Sequence, residues 1–385
     1  MVMIDKSDLY YFLLIDCPGS AFNAATISVT HVLSEESRIC PLIREPIFVG
    51  WVKCRLRRHC QRDEAGSWYS FQLAADVTTE SARRHRRAAP ASGGVRVDGM
   101  AIALKPLTPH FGAEVTGVDI TCDLGDTAFG EIRAAFDEYS VLVFPNQPMN
   151  DEQQIAFSER FGFLEGTRAL NPGSGTAFAR QSNLDIKTGE AIPADDRRMF
   201  YQKANMLWHS DSTFKAVPSL CSVLSAREIP PAGGATEFAS TRAAYDELTY
   251  DEKLTFEELT IEHDFVFSRG TVGFTMSEDE AGMFPAVQHA LVRTNGGNGR
   301  RSLMIGAHAK SVVGRPEAKG RALLDDLLTR VTSPDKIYRH DWRDHDVVVW
   351  DNQAVLHRAT PYDAQNHRRL MQRTTISSGI PAVPV

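Results

Sequence analysis

The sequence lacks the features that mark several common protein classes. No apolar run approaches the roughly 20 residues that a membrane-spanning helix needs. The first 15 residues carry aspartates and no basic segment, so we expect no secretory signal peptide. The chain also shows no internal repeat and no low-complexity tract. We therefore expect neither a membrane protein nor a repeat protein.

Paired cysteines and excess positive charge are also missing. None of the six cysteines belongs to a C-x-x-C pair, and four of them fall within the first 60 residues, which does not resemble a secreted disulfide framework. We therefore expect a reducing, cytoplasmic compartment. The formal net charge of −7 offers no attraction for nucleic acid. The 43% hydrophobic content supports a sizeable buried core.

Composition divides the chain near Met100. Residues 1–99 lack clear periodicity, mix cysteines with arginine clusters, and end in a loop-like run at 88–94. We predict that residues 1–99 are a poorly ordered or mis-called N-terminal extension, with a small accessory domain as the alternative. Residues 100–385 are expected to form one domain.

Within residues 100–385 the pattern mixes helices with short strands. Apolar spacing predicts a helix at 127–138, and Asn150 followed by Gln153 predicts a capped helix start. Short apolar runs predict buried strands, among them 141–144, 347–350 and 355–358. We predict an α+β fold: a double-stranded β-helix (jelly roll, cupin-like) with flanking helices.

Chemistry is concentrated in the triplet His209-Ser210-Asp211 and the distant His357. On a strand, positions 209 and 211 point to the same face. Two imidazoles and one carboxylate form the facial triad that holds a mononuclear Fe(II) with positions open for chemistry. A lone H-x-D motif is weak, since other His–Asp neighbours occur at 340–341 and 345–346. The alternative makes His357 a core histidine and Asp211 a turn residue.

The region from about Met100 to Ile380 resembles the Fe(II)/2-oxoglutarate-dependent dioxygenases of the taurine dioxygenase and 2,4-dichlorophenoxyacetate dioxygenase (TauD/TfdA) family, especially its aryloxyalkanoate branch. The matching segments, in the family's order, are 207–212 (LWHSDS), 231–238 (PAGGATEF), 242–246 (RAAYD), 303–309 (LMIGAHA) and 350–358 (WDNQAVLHR). Several separate motifs make this resemblance far more specific than H-x-D alone.

The resemblance implies His209, Asp211 and His357 as metal ligands and catalytic residues, with Fe(II), 2-oxoglutarate as cosubstrate, and O2. It implies hydroxylation of a small organic acid, such as an aryloxyalkanoate of the 2,4-dichlorophenoxyacetate type, with release of succinate and CO2. If the carbon beside an ether oxygen is hydroxylated, the hemiacetal collapses and a phenol is released. Because relatives associate, a homo-oligomer is also expected.

Two further residues are implied to bind the cosubstrate. Arg368 follows His357 by the family's spacing and would anchor the far carboxylate, which a planar guanidinium matches. Thr236 would donate a hydroxyl to the same carboxylate. The alternatives are a solvated charge beside His367 and Arg369 for Arg368, and an ordinary strand residue for Thr236.

The substrate side departs from the family. A second arginine is expected four residues after the first, where this chain has Gln372, and we expect the neighbouring Arg373 to face the other way. By simple register, Asn171 takes the place of a substrate-binding lysine. Two charged residues are candidates to compensate, Arg168 and Lys203, although both have the character of surface charges. The candidate substrate contacts are Asn205 and His308, and His308 is equally well explained as a core histidine.

Two other function classes stay open at this point. The same scaffold could carry a cupin-like hydrolase or isomerase with Zn or Mn, or a non-catalytic binding module. A dicarboxylate anchor at Arg368 and Thr236 favours the oxygenase over a hydrolase. An intact triad argues against a binding module, because a decayed site loses ligands.

Overall fold

The computed structural model describes residues 102–167, 176–185, 188–193 and 195–379, together with the backbone of six short strands before residue 95. The chain divides into two compact units, residues 1–95 and 96–385. Side chains of residues 1–99 lie outside the described residues, so the nature of that segment stays a prediction.

The strands of the first unit are β1 (Val2–Lys6), β2 (Leu9–Leu13), β3 (Ile27–Thr30), β4 (Ile47–Val49), β5 (Val52–Leu56) and β6 (Ser70–Ala74). The strands of the second unit are β7 (Ala103–Pro106), β8 (Ala113–Thr116), β9 (Val141–Phe144), β10 (Phe178–Ser182), β11 (Ser219–Glu228), β12 (Thr236–Ser240), β13 (Thr260–His263), β14 (Val287–Ala290), β15 (Val292–Thr294), β16 (Arg301–Leu303), β17 (Ala309–Val312), β18 (Ile337–His340), β19 (Val347–Asp351), β20 (Val355–Ala359) and β21 (Leu370–Ser377).

The helices are α1 (Asp126–Tyr139), α2 (Asp151–Glu159), α3 (Arg197–Lys203), α4 (Thr241–Asp246), α5 (Tyr250–Glu257), α6 (Phe265–Gly270), α7 (Glu278–Gly282) and α8 (Glu317–Val331). Two 3-10 turns span Ala204–Met206 and Pro334–Lys336. Within the described ranges no helix is long and apolar enough to cross a membrane.

Two facing sheets form the barrel of the second unit. The larger has seven strands in the order β10-β21-β11-β19-β9-β8-β7, antiparallel except for the β8–β9 pair. The smaller has three antiparallel strands in the order β18-β12-β20. Apolar side chains from both sheets share one buried cluster, including Phe238, Val348, Trp350, Val355 and Met371. This arrangement is a double-stranded β-helix, as predicted.

Helices α1 and α2 cover the outer face of the larger sheet. Ile132, Ala135 and Phe136 of α1 are buried in a second apolar cluster with strand residues such as Leu142 and Val349. Burying a side chain the size of Ile132 stabilises the fold by about 1.5–3 kcal/mol. The predicted helix at 127–138 is therefore confirmed, and its apolar spacing is what fixes it to the sheet.

Helix α2 begins with the predicted capping arrangement. The Asn150 side chain accepts from the amide of Gln153, and the Gln153 side chain accepts in return from the amide of Asn150. Such a cap contributes about 0.5–2 kcal/mol to helix stability. The predicted strands at 141–144, 347–350 and 355–358 are likewise confirmed as β9, β19 and β20.

Candidate active site

The two distant histidines are brought side by side by a backbone bridge. The amide of His209 donates to the carbonyl of His357 (3.0 Å), and the amide of His357 donates to the carbonyl of His209 (2.8 Å). Their ring centroids lie 4.2 Å apart. Strand β20, which carries His357, is thereby joined to the segment before β11.

Asp211 reaches the same point from a turn, so the prediction that positions 209 and 211 share a strand is wrong. His209 forms only the isolated bridge, and residues 211–214 turn through Ser212, whose φ is 57°. Asn352 holds this turn, since its Oδ1 accepts from the amide of Asp211 (3.2 Å) and its carbonyl accepts from Ser210 Oγ. His209 and Asp211 do lie on the same side of the site, but a turn, and not strand alternation, places them there.

The three side chains converge on a common centre. His209 Nε2 lies 4.0 Å from Asp211 Oδ1, and His357 Nε2 lies 3.7 Å from Asp211 Oδ2. One ligand atom from each residue lies within 4.8 Å of the others, and all three residues are buried. Of the described residues, only these form a metal-type cluster of three or more such groups. Two imidazole nitrogens and a carboxylate suit a divalent transition metal.

The histidines are prepared to act as neutral ligands. Nδ1 of His209 lies 2.8 Å from the carbonyl oxygen of Leu207, which only accepts, so Nδ1 carries the proton and Nε2 faces the cluster. Burial lowers the pKa of His209 and lowers the pKa of His357 well below its usual range. Both rings therefore remain neutral at physiological pH.

Asp211 is held as a carboxylate. Burial alone would raise the pKa of Asp211, but the Arg373 guanidinium and the hydrogen bond from the Ser222 hydroxyl hold it well below its usual range. Arg373 Nη1 donates to Oδ1 over 2.6 Å, and Ser222 Oγ donates to Oδ2 over 2.7 Å. The carboxylate is thus charged and oriented.

Arg373 faces the site, contrary to the expectation that it points away. Its neighbour Gln372 is buried on the opposite side of β21, where Nε2 lies 3.3 Å from Asp151 of α2. The strand alternates as expected, but in the register opposite to the one assumed. Although Gln372 stands where the family has an arginine, Arg373 supplies an arginine side chain to the site.

At positions 368 and 369 the inward-facing arginine is likewise one residue later than the sequence predicted. The side chain of Arg368 is 52% exposed and pairs with Glu228 (2.7 Å), with a further bond to the Gly189 carbonyl (3.0 Å). Its surface position contradicts the placement predicted from spacing. Arg369 is 6% exposed and donates to the carbonyls of Gln181 (3.1 Å) and Gly234 (3.3 Å). Burial lowers the pKa of Arg369 to about 10.

Thr236 lies at the start of β12, two residues after the glycine that contacts Arg369. It is buried, and its hydroxyl accepts from Trp342 Nε1 over 3.0 Å. The preceding turn needs glycine, because a Cβ on Gly233 would lie 2.7 Å from the Pro361 carbonyl oxygen and its φ is +76°. The structure thus places Thr236 in the same corner of the barrel as Arg369.

Asn205 and His308 border the site at greater distance. Asn205 Nδ2 donates to Gln181 Oε1 over 2.6 Å, so it adjoins the residue that also accepts from Arg369. His308 is buried with its ring 6.3 Å from that of His209, and its Nδ1 lies 3.1 Å from Thr213 Oγ1. Both are near the cluster, and their roles as substrate contacts stay predictions.

A cavity of about 80 Å³ lies beside the cluster, and Arg373, which bonds Asp211, is part of its wall. Its wall combines aromatic rings with charged groups, including Tyr201, Phe214, Phe265, Phe284, Lys215, Glu165 and Arg373. Lys215 pairs with Glu165, which also accepts from Ser212 Oγ (2.7 Å). The candidate residues Arg168 and Asn171 lie outside the described residues. Lys203 is exposed, with its ammonium 3.8 Å from the ring centroid of Phe200.

The geometry thus defines a site on a jelly roll that is suited to bind a metal ion, and the comparisons with known proteins agree with an enzyme of this class. Residues 103–375 match the family model described as taurine catabolism dioxygenase TauD, TfdA family. The chain therefore belongs to the TauD/TfdA family and is an oxidoreductase of the dioxygenase class. These findings do not support the alternative of a hydrolase or isomerase.

Individual relatives match nearly three quarters of the chain. The alpha-ketoglutarate-dependent 2,4-dichlorophenoxyacetate dioxygenase of Cupriavidus pinatubonensis is 42% identical over 286 residues, covering 73% of this chain and 100% of the relative. The (S)-phenoxypropionate/alpha-ketoglutarate-dioxygenase of Sphingobium herbicidovorans is 38% identical, covering 73% and 96%. The crystal structure of AAD-2 in complex with Mn(II) and N-oxalylglycine has a TM-score of 0.68 and 39% identity, covering 73% and 100%.

Proposed function

We propose that this protein is an Fe(II)- and 2-oxoglutarate-dependent dioxygenase that uses O2 to hydroxylate a small aryloxyalkanoate acid, with release of succinate and CO2. The single observation that carries the proposal is the buried convergence of His209, Asp211 and His357 within 4.8 Å. The donor set fits Fe(II), because it has two neutral imidazoles, one carboxylate and no thiolate. When bound there, the metal supplies the redox chemistry that couples O2 to decarboxylation of the cosubstrate and oxidation of a substrate C–H bond.

The cosubstrate anchor that we propose is Arg369 rather than Arg368. Among the described residues, the hydrogen bonds of the buried Arg369 guanidinium go to backbone carbonyls and no carboxylate lies within 4.0 Å of it. Burying such an uncompensated charge costs several kcal/mol unless an anion binds to it. The far carboxylate of 2-oxoglutarate meets that need by a planar, charge-assisted contact. Thr236 borders the same corner and is proposed to add a hydroxyl donor.

The cavity supports an aromatic acid as substrate. Phe214, Phe265 and Phe284 form a connected group of rings, with centroids 4.3 Å apart for Phe214–Phe265 and 4.5 Å for Phe265–Phe284. Arg373 in the same wall bonds Asp211 through Nη1, and its Nε, which has no hydrogen-bond partner among the described residues, is a donor for a substrate carboxylate. The names of the relatives, which include dioxygenases of dichlorophenoxyacetate and phenoxypropionate, point to the same chemical class.

The side chains of the site perform three tasks in this mechanism. His209, Asp211 and His357 orient the metal, and Asn352 and Ser222 orient Asp211 in turn. The aromatic wall excludes water from the reacting carbon of the substrate and holds that carbon toward the ligand cluster.

Two measurements test the proposal. Under anaerobic conditions, Fe(II) plus 2-oxoglutarate should give the weak visible charge-transfer band of a chelated keto acid, and addition of the acid substrate should shift it. Under O2, a panel of phenoxyalkanoates, sulfonates and aromatic acids should show succinate release matched by loss of the phenoxyalkanoate. A folded protein that gives no band and no substrate-dependent succinate contradicts the proposal.

Three further expectations are part of the same proposal. We propose that residues 100–385 form the catalytic domain, that the protein is a homo-oligomer, and that it acts in the cytoplasm, as the cysteine pattern of the sequence suggests. Size-exclusion chromatography with light scattering tests the assembly, and a chain starting at Met100 tests the domain.

A further inference from the structure

We infer that Arg269 is a second cationic contact for the carboxylate of the prime substrate, acting beside Arg373. This inference rests on the proposed function, because it concerns how the same cavity selects its acid. It assigns a specificity-determining role to a residue on α6.

Arg269 is nearly buried, with 7% of its surface exposed. Its Nη1 donates to the carbonyl of Tyr201 over 3.2 Å, and its Nε has no hydrogen-bond partner. Across the part of the chain that the structure describes, no carboxylate lies within 4.0 Å of its guanidinium nitrogens, whereas the nearby Arg197 pairs with Glu280 over 2.6 Å. A buried cation without a close counter-ion is costly, and no described residue provides a carboxylate within 4.0 Å, so a bound anion would be favourable here.

The position of Arg269 connects it to the cavity. Its guanidinium carbon lies 4.5 Å from the ring centroids of both Tyr201 and Phe265. Both rings line the cavity that contains Arg373. Contact with two ring faces fixes the plane of the guanidinium and leaves its charge in place, because a ring quadrupole attracts a cation without neutralising it.

The two cations that line the cavity are already compensated. Arg373 is paired with Asp211, and Lys215 is paired with Glu165. Arg269, which packs on two aromatic rings of the same wall, has no carboxylate within 4.0 Å among the described residues, so its charge is the least compensated next to the cavity. A monoanionic substrate balances it, and an uncharged analogue does not.

The substrate class that follows is an aromatic ring carrying one carboxylate on a short linker. The ring packs among Phe214, Phe265 and Phe284, and the carboxylate lies within reach of Arg373 and Arg269. Two guanidinium groups favour a planar carboxylate over the corresponding amide, because charge-assisted hydrogen bonds are roughly twice as strong as neutral ones.

The test compares an acid with its neutral isostere. Binding of 2,4-dichlorophenoxyacetate and of 2,4-dichlorophenoxyacetamide is measured by calorimetry on the whole protein with Mn(II) and N-oxalylglycine, so that no turnover occurs. Arg269→Met is expected to weaken binding of the acid about tenfold or more and binding of the amide less than about twofold. Arg269→Lys is expected to retain part of the acid preference, since it keeps the charge and loses the planar fork.

Arg197→Met is the matched control, because Arg197 also contacts an aromatic ring (Phe274, 4.7 Å) but is half exposed and paired with Glu280. It is expected to leave both affinities unchanged. Arg269→Gln, checked by near-ultraviolet circular dichroism, keeps the test decisive if the Met variant does not fold.

The outcomes separate the inference from the proposed function. Equal losses for acid and amide, no loss for either, or a loss confined to N-oxalylglycine overturn the role of Arg269 while the dioxygenase proposal stands. If the unaltered protein binds neither compound but releases succinate with another class of acid, both the substrate class and this inference fail.

Discussion

Arg373 donates a hydrogen bond to Asp211 over 2.6 Å, and this contact joins the metal-type cluster to the cavity. The same carboxylate lies 4.0 Å from His209 Nε2 and 3.7 Å from His357 Nε2. One acidic group therefore serves both the ligand set and the cation in the cavity wall. Asp211 compensates Arg373, whereas the buried Arg369 and Arg269 have no carboxylate within 4.0 Å among the described residues.

The role of His357 predicts a specific loss of activity. His357→Ala removes one of three ligands without breaking the backbone bridge to His209, so turnover should fall below detection while the thermal unfolding midpoint changes little. Succinate release under O2 and a thermal melt measure the two effects. His110→Ala is the control, since His110 is exposed. Normal turnover in the His357 variant would rule out its role as a ligand.

The offset between Arg368 and Arg369 predicts opposite results for two adjacent substitutions. Arg369→Met should raise the Michaelis constant for 2-oxoglutarate by about 10–100-fold, since a hydrogen bond to a charged group contributes about 1.5–3 kcal/mol. Arg368→Met should leave that constant within about twofold, because its partner is the surface carboxylate of Glu228. Initial rates against 2-oxoglutarate concentration decide, and a larger effect at Arg368 would restore the assignment made from spacing alone.

The elements that the sequence predicted well are those with strong local signals. Apolar spacing located α1, the Asn150–Gln153 pair located the start of α2, and apolar runs located β9, β19 and β20. The grouping of the three ligands was also predicted, because the family motifs occur in order around them. Each of these signals is carried by a few neighbouring residues.

What could not be predicted depends on how irregular segments connect these elements. Between β20 and β21 the chain turns at Asp363, whose carboxylate accepts from the amides of Gln365 and Asn366, both at 3.2 Å. Counting residues from His357 across such a turn does not determine which side chain faces inward. The cosubstrate arginine was therefore predicted one residue too early, at Arg368 and not at Arg369. The signal that could have found the correct register was the pair Arg369 and Arg373, which has the expected spacing of four between two arginines, whereas Arg368 is followed four residues later by Gln372.

We expect the protein to lose stability in mild acid, because a buried histidine resists protonation in the folded state. Burial and the charge of His289 lower the pKa of His263 to about 3, from an ordinary value near 6.5. Because the unfolded chain binds the proton more readily, the contribution of His263 to stability is fully present above about pH 6.5 and is lost as pH falls toward 3. By about pH 5 this single group should cost about 2 kcal/mol.

Denaturant unfolding at about pH 7 and about pH 5 checks this expectation. His263→Gln, which does not titrate, should reduce the pH-dependent loss of unfolding free energy by up to that amount. His110→Gln, at an exposed position, should not change it. An unaltered pH dependence in the His263 variant would show that other groups cause the acid sensitivity.

The backbone of residues 361–362 lies so close to Gly233 that replacing this glycine should cost more stability than its positive φ alone explains. Gly233 and Gly299 have nearly the same positive φ, +76° and +71°, but a Cβ on Gly233 would lie 2.7 Å from the Pro361 carbonyl oxygen, and a Cβ on Gly299 meets nothing within 4 Å. Gly299→Ala should therefore cost only the left-handed penalty of about 1–2 kcal/mol. Gly233→Ala should cost about 1–3 kcal/mol more, because the backbone of residues 361–362 must move. That movement should also displace the Gly234 carbonyl that accepts from Arg369 and raise the Michaelis constant for 2-oxoglutarate. Equal unfolding free energies for the two variants would show that the turn accommodates a side chain, and that its glycines do not hold Arg369 in place.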